Sequence, residues 1–341
     1  MNEIFEPILQ NLLMFGTILA FFVLINLSEK QQTSFDPEKG KGIAISIYIC
    51  WIIIYFIIIL LTIFSYLSFQ LLKELSDQAD ILSITNPQLF LLGTIIPALL
   101  GMLFFIPKIR KWISFLIPID PTRRVHTLAL SVSMLIFIQL FSSLAIGLDV
   151  LNQMTEESSL SYTLSSIWSQ DILLFLLSMV GVGWLTRRNW KETFQRLGIQ
   201  KLSFKLILFG LLAGMIFAYL ATFLEAFLSQ NGVSSGSDVE ELTEKLLGPL
   251  FTSSFGVLTL GLAAALGEES IFRGALQPRF GILFTSILFT LTHANYGLSI
   301  STLIVFLLAI CLGILRKYFN TTLCMLVHAT YNISLVFLPM L

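Results

Sequence analysis

Three short stretches near the end of the chain carry the side chains that hydrolytic chemistry uses: E-E-S-I-F-R-G at 268–274, F-T-L-T-H at 289–293 and H-A-T-Y-N at 328–332. On a helix, which turns about 100° per residue, Glu269 and Arg273 form an i, i+4 pair able to neutralise each other. Glu268 is rotated away from them and is the carboxylate left for another task. His293 shares a face with Phe289, and His328 shares one with Asn332. A carboxylate, two imidazoles and an amide can together activate water and attack a carbonyl. Glu268 would act as general base with His293 helping to hold the water, while His328 and Asn332 would face the oxyanion. Such a set cleaves a peptide bond without a serine or cysteine nucleophile.

The elements that must position these groups lie in a membrane. Of 341 residues, 56% are hydrophobic and 12% charged, against about 25% charged in soluble domains. Ten apolar runs, near 8–27, 43–67, 87–106, 127–148, 170–186, 204–228, 250–272, 281–297, 298–315 and 319–340, approach the roughly 20 residues a spanning helix needs. The fold expected is all-α, a polytopic bundle of about ten transmembrane helices.

Charge orients it. With the N-terminus outside, the inner loops collect 18 of the 20 basic residues, including Arg123, Arg124, Arg187, Arg188, Arg196, Arg279 and Arg316. The outer segments 149–169 and 229–249 carry acidic residues, the second as a loop with a short acidic helix. The stretch 187–201 reads as a short interfacial helix stopped by Gly198. No basic region precedes the first apolar run, so a cleaved signal peptide is not expected. The reading is a multi-pass protein of the cell membrane whose site faces the cytoplasm. A net charge of −1 gives no case for nucleic acid. Cys50, Cys311 and Cys324 read as small apolar residues within apolar runs, and His126, beside two arginines, as a solvated or headgroup-facing residue.

An ionisable group at a helix centre costs roughly 2.5–3.5 kcal/mol on insertion scales, and the first six runs read as nearly free of them, apart from Glu225. Counting about 1.5 Å per residue from the inner helix ends puts Glu268, His293 and His328 roughly 12, 18 and 14 Å into the membrane. That is one layer. Each group alone could be a packing clasp or an interhelical hydrogen bond; their convergence points to a site.

The three motifs, in this order, resemble those of the CPBP family, which comprises CAAX proteases of the Rce1 type and bacteriocin-processing enzymes, formerly called Abi proteins. The resemblance runs over 245–341, and more loosely from about 170. It implies an intramembrane protease domain at 166–341 with an Rce1-like core, preceded by a membrane extension of about four helices at 1–165 that it does not explain. It implies that Glu268 and His293 activate water, that His328 and Asn332 stabilise the oxyanion, and that Glu269 and Arg273 support the site. Glu268, His293 and His328 could instead hold zinc with a water in the fourth position, but a glutamate ligand cannot easily serve as base too, and a metal-free site is the reading preferred. The implied partners are the lipid bilayer and a peptide or protein substrate reached from the membrane or the cytoplasmic side. The alternatives are a non-catalytic scaffold or immunity protein of the same fold, and a proton-coupled transporter relaying through Glu268 and the histidines.

Overall fold

A computed structural model describes residues 2–32, 37–75, 84–232 and 236–338. Parts of the expected segments 28–42, 229–249 and 319–340 lie outside these residues. Among the described residues the fold is helical, with one isolated bridge between Trp184 and Arg188. The helices are α1 (Asn2–Gln32), α2 (Pro37–Leu75), α3 (Pro87–Leu103), α4 (Pro107–Ile113), α5 (Arg124–Val132), α6 (Met134–Ile146), α7 (Leu148–Met154) and α8 (Leu160–Gly181). They continue with α9 (Trp190–Leu197), α10 (Phe204–Gln230), α11 (Ser237–Leu247), α12 (Ser254–Glu269), α13 (Gln277–Phe280), α14 (Ile282–Leu291), α15 (Ile300–Tyr318) and α16 (Thr321–Phe337).

All ten predicted runs are helical, but they do not cross alike. Among the described residues seven helices are long and apolar enough to span a membrane, counting α5 with α6 and α12 with α13 as continuous, which makes this an integral multi-pass membrane protein. α3 and α4 form a further pair bent by 104°. α14 has ten residues and α16 seventeen, about 15 and 25 Å of helix against a core of about 30 Å. Hydropathy registers composition, not where a helix stops, and α14 ends two residues before His293.

The segment 149–169, expected as an outer loop, is largely helix. Ser159 caps α8 by accepting from the Tyr162 amide, so a division of the chain at 165 would cut through α8. The serines that lower hydropathy there lie on a helix, with Ser166 O and Ser169 Oγ holding the Asn11 amide of α1. α9 forms as expected, with a capping box between Asn189 and Glu192, and Gly198 closing it in the left-handed region at φ 72°. That conformation suits glycine, which has no Cβ to clash.

α1 lies along α8, α8 along α12, and α12 and α10 along α16. Glycines make the close crossings: a methyl group at Gly261 would lie 2.8 Å from the Ala329 carbonyl of α16, and one at Gly267 would lie 2.3 Å from Asp171 Oδ1 of α8. Outward faces of α2 and α10 expose Phe56, Phe64, Leu208 and Phe223, an apolar belt suited to lipid.

Helix ends sort into the two groups that charge predicted. At one, Glu29 pairs with Arg123 at 3.3 Å, Arg187 donates to Asn26 at 3.0 Å and Arg196 donates to the Gly274 carbonyl at 3.2 Å. At the other, Asn152 donates to the Asp238 carbonyl at 2.8 Å and Lys245 to the Asn152 carbonyl at 2.7 Å, tying α11 to α7. His126 belongs to the arginine-rich end, where its half-buried ring accepts from the Asp120 amide at 3.1 Å and packs on Phe280. It clasps the loop and also lines the cavity at this end. Cys324 is buried, whereas Cys50 is exposed on α2.

Candidate active site

α12 begins at Ser253, whose hydroxyl accepts from the Gly256 amide, and its last two residues are the glutamates. Beyond Glu269 the helix widens into a π turn, Ser270–Leu276, before resuming as α13. Such turns recur at functional sites because they shift the hydrogen-bond register and release backbone carbonyls. Here the Arg273 carbonyl accepts from Arg316 Nε at 3.2 Å and the Gly274 carbonyl from Arg196 Nη1.

The two glutamates part as their positions require. Glu269 is fully buried, its Oε2 3.4 Å from Arg273 Nε and its Oε1 3.0 Å from His328 Nδ1. Glu268 retains 17% exposure and turns toward the cavity, with Oε2 4.0 Å from His328 Nε2. Glu269 thus neutralises Arg273 and also orients His328, whose sequence offered no hint of this second link. Arg273 lies over the Phe289 ring at 4.6 Å, and the same ring packs against His293 at 5.1 Å and His328 at 6.0 Å between centroids. Phe289 is therefore the apolar hub around which the three motifs assemble.

His293 follows the end of α14. Its Nδ1 is 3.0 Å from the Phe289 carbonyl, an acceptor, so Nδ1 carries the proton and Nε2 is left as an acceptor. Asn320 caps α16 through the Leu323 amide, and one turn after His328 comes Asn332, whose Nδ2 donates to the Leu260 carbonyl of α12 at 3.1 Å. One N–H of that amide is spent on holding α12 and α16 together; the other remains.

Glu268, His293, His328 and Asn332 line one cavity of about 1590 Å³. It runs from Arg123, Arg188 and Arg279 past these residues to α11. Among the described residues no three histidine, cysteine or acidic side chains form a group able to hold a metal ion.

One lining residue escaped the motif reading. Asp171 of α8 is 2% exposed, faces the same cavity and lies against Gly267, next to Glu268. Its Oδ1 has no hydrogen-bond partner, nor does Glu268 Oε2. The early runs are therefore not free of buried polar groups, since Asn26 and Asp171 are both buried. Asp171 sits at the edge of the apolar run 170–186, and the extension of α8 back to Leu160 puts it mid-helix.

Comparison with known families locates a match within this geometry. Residues 250–334 match the model of the type II CAAX prenyl endopeptidase Rce1-like family, a quarter of the chain, which holds α12, α14, α15 and most of α16. The match lies in the C-terminal half of the chain and includes Glu268, His293, His328 and Asn332. Neither a curated protein nor a solved structure matches the chain.

Proposed function

We propose that the protein is an intramembrane endopeptidase that hydrolyses a peptide bond of a membrane-associated substrate with water activated by Glu268. The observation that carries this reading is the unequal placement of the two glutamates, one consumed by Arg273 and His328 and the other open to the cavity beside His328 Nε2.

A water between Glu268 and the His293 ring gives its proton to the Glu268 carboxylate as its oxygen attacks the peptide carbonyl. Nε2 of His293, unprotonated in the tautomer that Phe289 selects, accepts the water's other hydrogen. The carbonyl oxygen becomes negative in the transition state, facing the spare N–H of Asn332 and the Nε2–H of His328, whose ring carries both protons as an imidazolium held by the Glu269 carboxylate on Nδ1, and donors fixed in advance are most effective there. As the tetrahedral species collapses, Glu268 passes its proton to the leaving amine and returns to a carboxylate. No step in this scheme uses a metal. The tripartite arrangement of Arg273, Glu269 and His328 supports it in the way outer partners orient working groups.

The arginine-rich end supports a cell-membrane protein with this site open to the cytoplasm. The protease domain is taken to begin with α8, which supplies one wall, and the preceding helices form the extension. The resemblance points to prenylated tails or leader peptides as substrate classes. The deciding experiment is cleavage of a lipid-anchored peptide library by the purified full-length protein beside Glu268→Gln. Cleavage by both, or by neither, sinks the proposal.

A further inference from the structure

The arginine-rich mouth of the cavity has more positive charge than the fold can use. Beside it lies a second hollow of about 490 Å³ lined by Arg187, Arg188, Glu192, Gln195 and Arg196, three of which also line the main cavity. Arg279, at the cavity rim, makes no hydrogen bond or ion pair among the described residues.

The nearby acids are already engaged. Glu29 accepts from the Arg124 amide and pairs with Arg123; Asp120 accepts from the Thr122 amide and hydroxyl; Glu192 closes the capping box on the Asn189 amide. The arginines of the hollow turn largely to neutral acceptors, Arg187 to the Asn26 side chain, Arg188 to the Val182 carbonyl and Arg196 to the Gly274 carbonyl, which leave their charges uncompensated. Burial, and after it the charges of Arg279, Arg188, Arg316 and Arg187, hold Arg196 down at about 10. Packing like charges around a half-buried opening is unfavourable unless an anion arrives to compensate.

We propose that this hollow is a binding subsite for a carboxylate carried by the peptide substrate. Arginine suits the task because its planar fork meets a carboxylate with two parallel hydrogen bonds. The position favours a group on the substrate over a lipid headgroup, because the hollow shares its arginines with the cavity that holds Glu268. Reach agrees as well. Arg196 is anchored on Gly274, six residues beyond Glu268, or about 9 Å along the helix, which extended peptide covers in about three residues. The subsite deepens the endopeptidase reading and rests on it for the peptide in the cavity.

The test is a binding measurement that needs no turnover. Twelve-residue acyl-anchored fluorescent peptides, identical except for one aspartate stepped along the sequence, are titrated by anisotropy against full-length protein in phosphatidylcholine nanodiscs, beside the all-asparagine peptide. Peptides with the aspartate in register should bind about tenfold more tightly than the asparagine peptide, with the advantage shrinking at high salt. Arg188→Gln should abolish most of that advantage, and Arg279→Gln, at an exposed side chain without a partner, should reduce it about threefold with the fold intact. Equal binding of aspartate and asparagine peptides by the unmodified protein overturns the subsite. So does an unchanged aspartate preference in both variants. If the variants instead lose only a preference for phosphatidylglycerol nanodiscs, the arginines hold headgroups and the proposal fails. An aspartate preference without cleavage of any peptide would retain the subsite and remove the protease reading; cleavage without that preference would do the reverse.

Discussion

Nδ1 of His328 lies 3.0 Å from Oε1 of Glu269, joining the last helix to the buried half of the glutamate pair. Because the same carboxylate also pairs with Arg273, removing it leaves a buried guanidinium without its partner and an imidazole free to turn. Glu269→Ala and Arg273→Ala should each lower the yield of folded protein extracted from membranes, as expected when breaking a buried pair costs about 3–5 kcal/mol. Glu269→Gln, which keeps the shape and an acceptor oxygen but not the charge, should lose less yield than Glu269→Ala, and the protein that folds should lose about 10–100-fold in kcat with KM little changed, as outer-shell substitutions do. Monodispersity after detergent extraction, measured with kinetics, checks both.

Glu268→Gln should fold as well as the unmodified protein and abolish turnover, because its carboxylate faces the cavity and holds no helix in place. Equal losses of yield for Glu268→Gln and Glu269→Ala would show that Glu268 is structural.

Asn332→Ala should reduce kcat by about 10²–10³-fold, the typical loss for one oxyanion donor, with KM little altered. The bond to the Leu260 carbonyl adds a second, smaller effect on stability. A rise in KM alone would assign Asn332 to substrate binding.

Gly267→Ala should be among the most damaging single-methyl changes in the protein. The added methyl would lie 2.3 Å from Asp171 Oδ1 and 2.7 Å from the Asp171 Cα. Because the second contact is backbone, Asp171→Ala should rescue folding only in part. Thermal melting of the two single variants and the double variant measures the coupling, and full rescue would show that only the carboxyl group is in the way.

Chelators should leave the peptidase active, and elemental analysis should find no stoichiometric zinc. Loss of activity on chelation, restored by added zinc, would overturn the metal-free reading and assign His328 Nε2, with Glu268 and His293, to the metal, Glu269 on Nδ1 then being the outer partner.

Much of this was legible in the residues themselves. The i, i+4 spacings gave the Glu269–Arg273 pair, the separate facing of Glu268 and the shared face of Phe289 and His293, because helix geometry converts spacing directly into direction. Basic residues gave the sorting of helix ends for the same local reason. What stayed hidden depended on distant packing. The link from Glu269 to His328 crosses 59 residues of chain. Asp171 gains its place from a crossing of α8 and α12 that only Gly267 permits. The shortness of α14 was masked because Ala294, Tyr296 and Leu298 continue an apolar run after the helix has stopped.

That early stop bears on how the protein keeps two solutions apart. Non-helical backbone inside a membrane is tolerated where it lines water or is covered by protein, and Thr292, His293 and Asn295 line the cavity. The cavity opens at the arginine-rich mouth, passes these residues and continues until it meets α11. The wall at this point is an eleven-residue amphipathic helix, α11, tied to α7 by Lys245 on the Asn152 carbonyl and by Asn152 on the Asp238 carbonyl. If the cavity brings water to a peptide bond within a membrane as proposed, it must also avoid conducting ions, and that burden falls on α11.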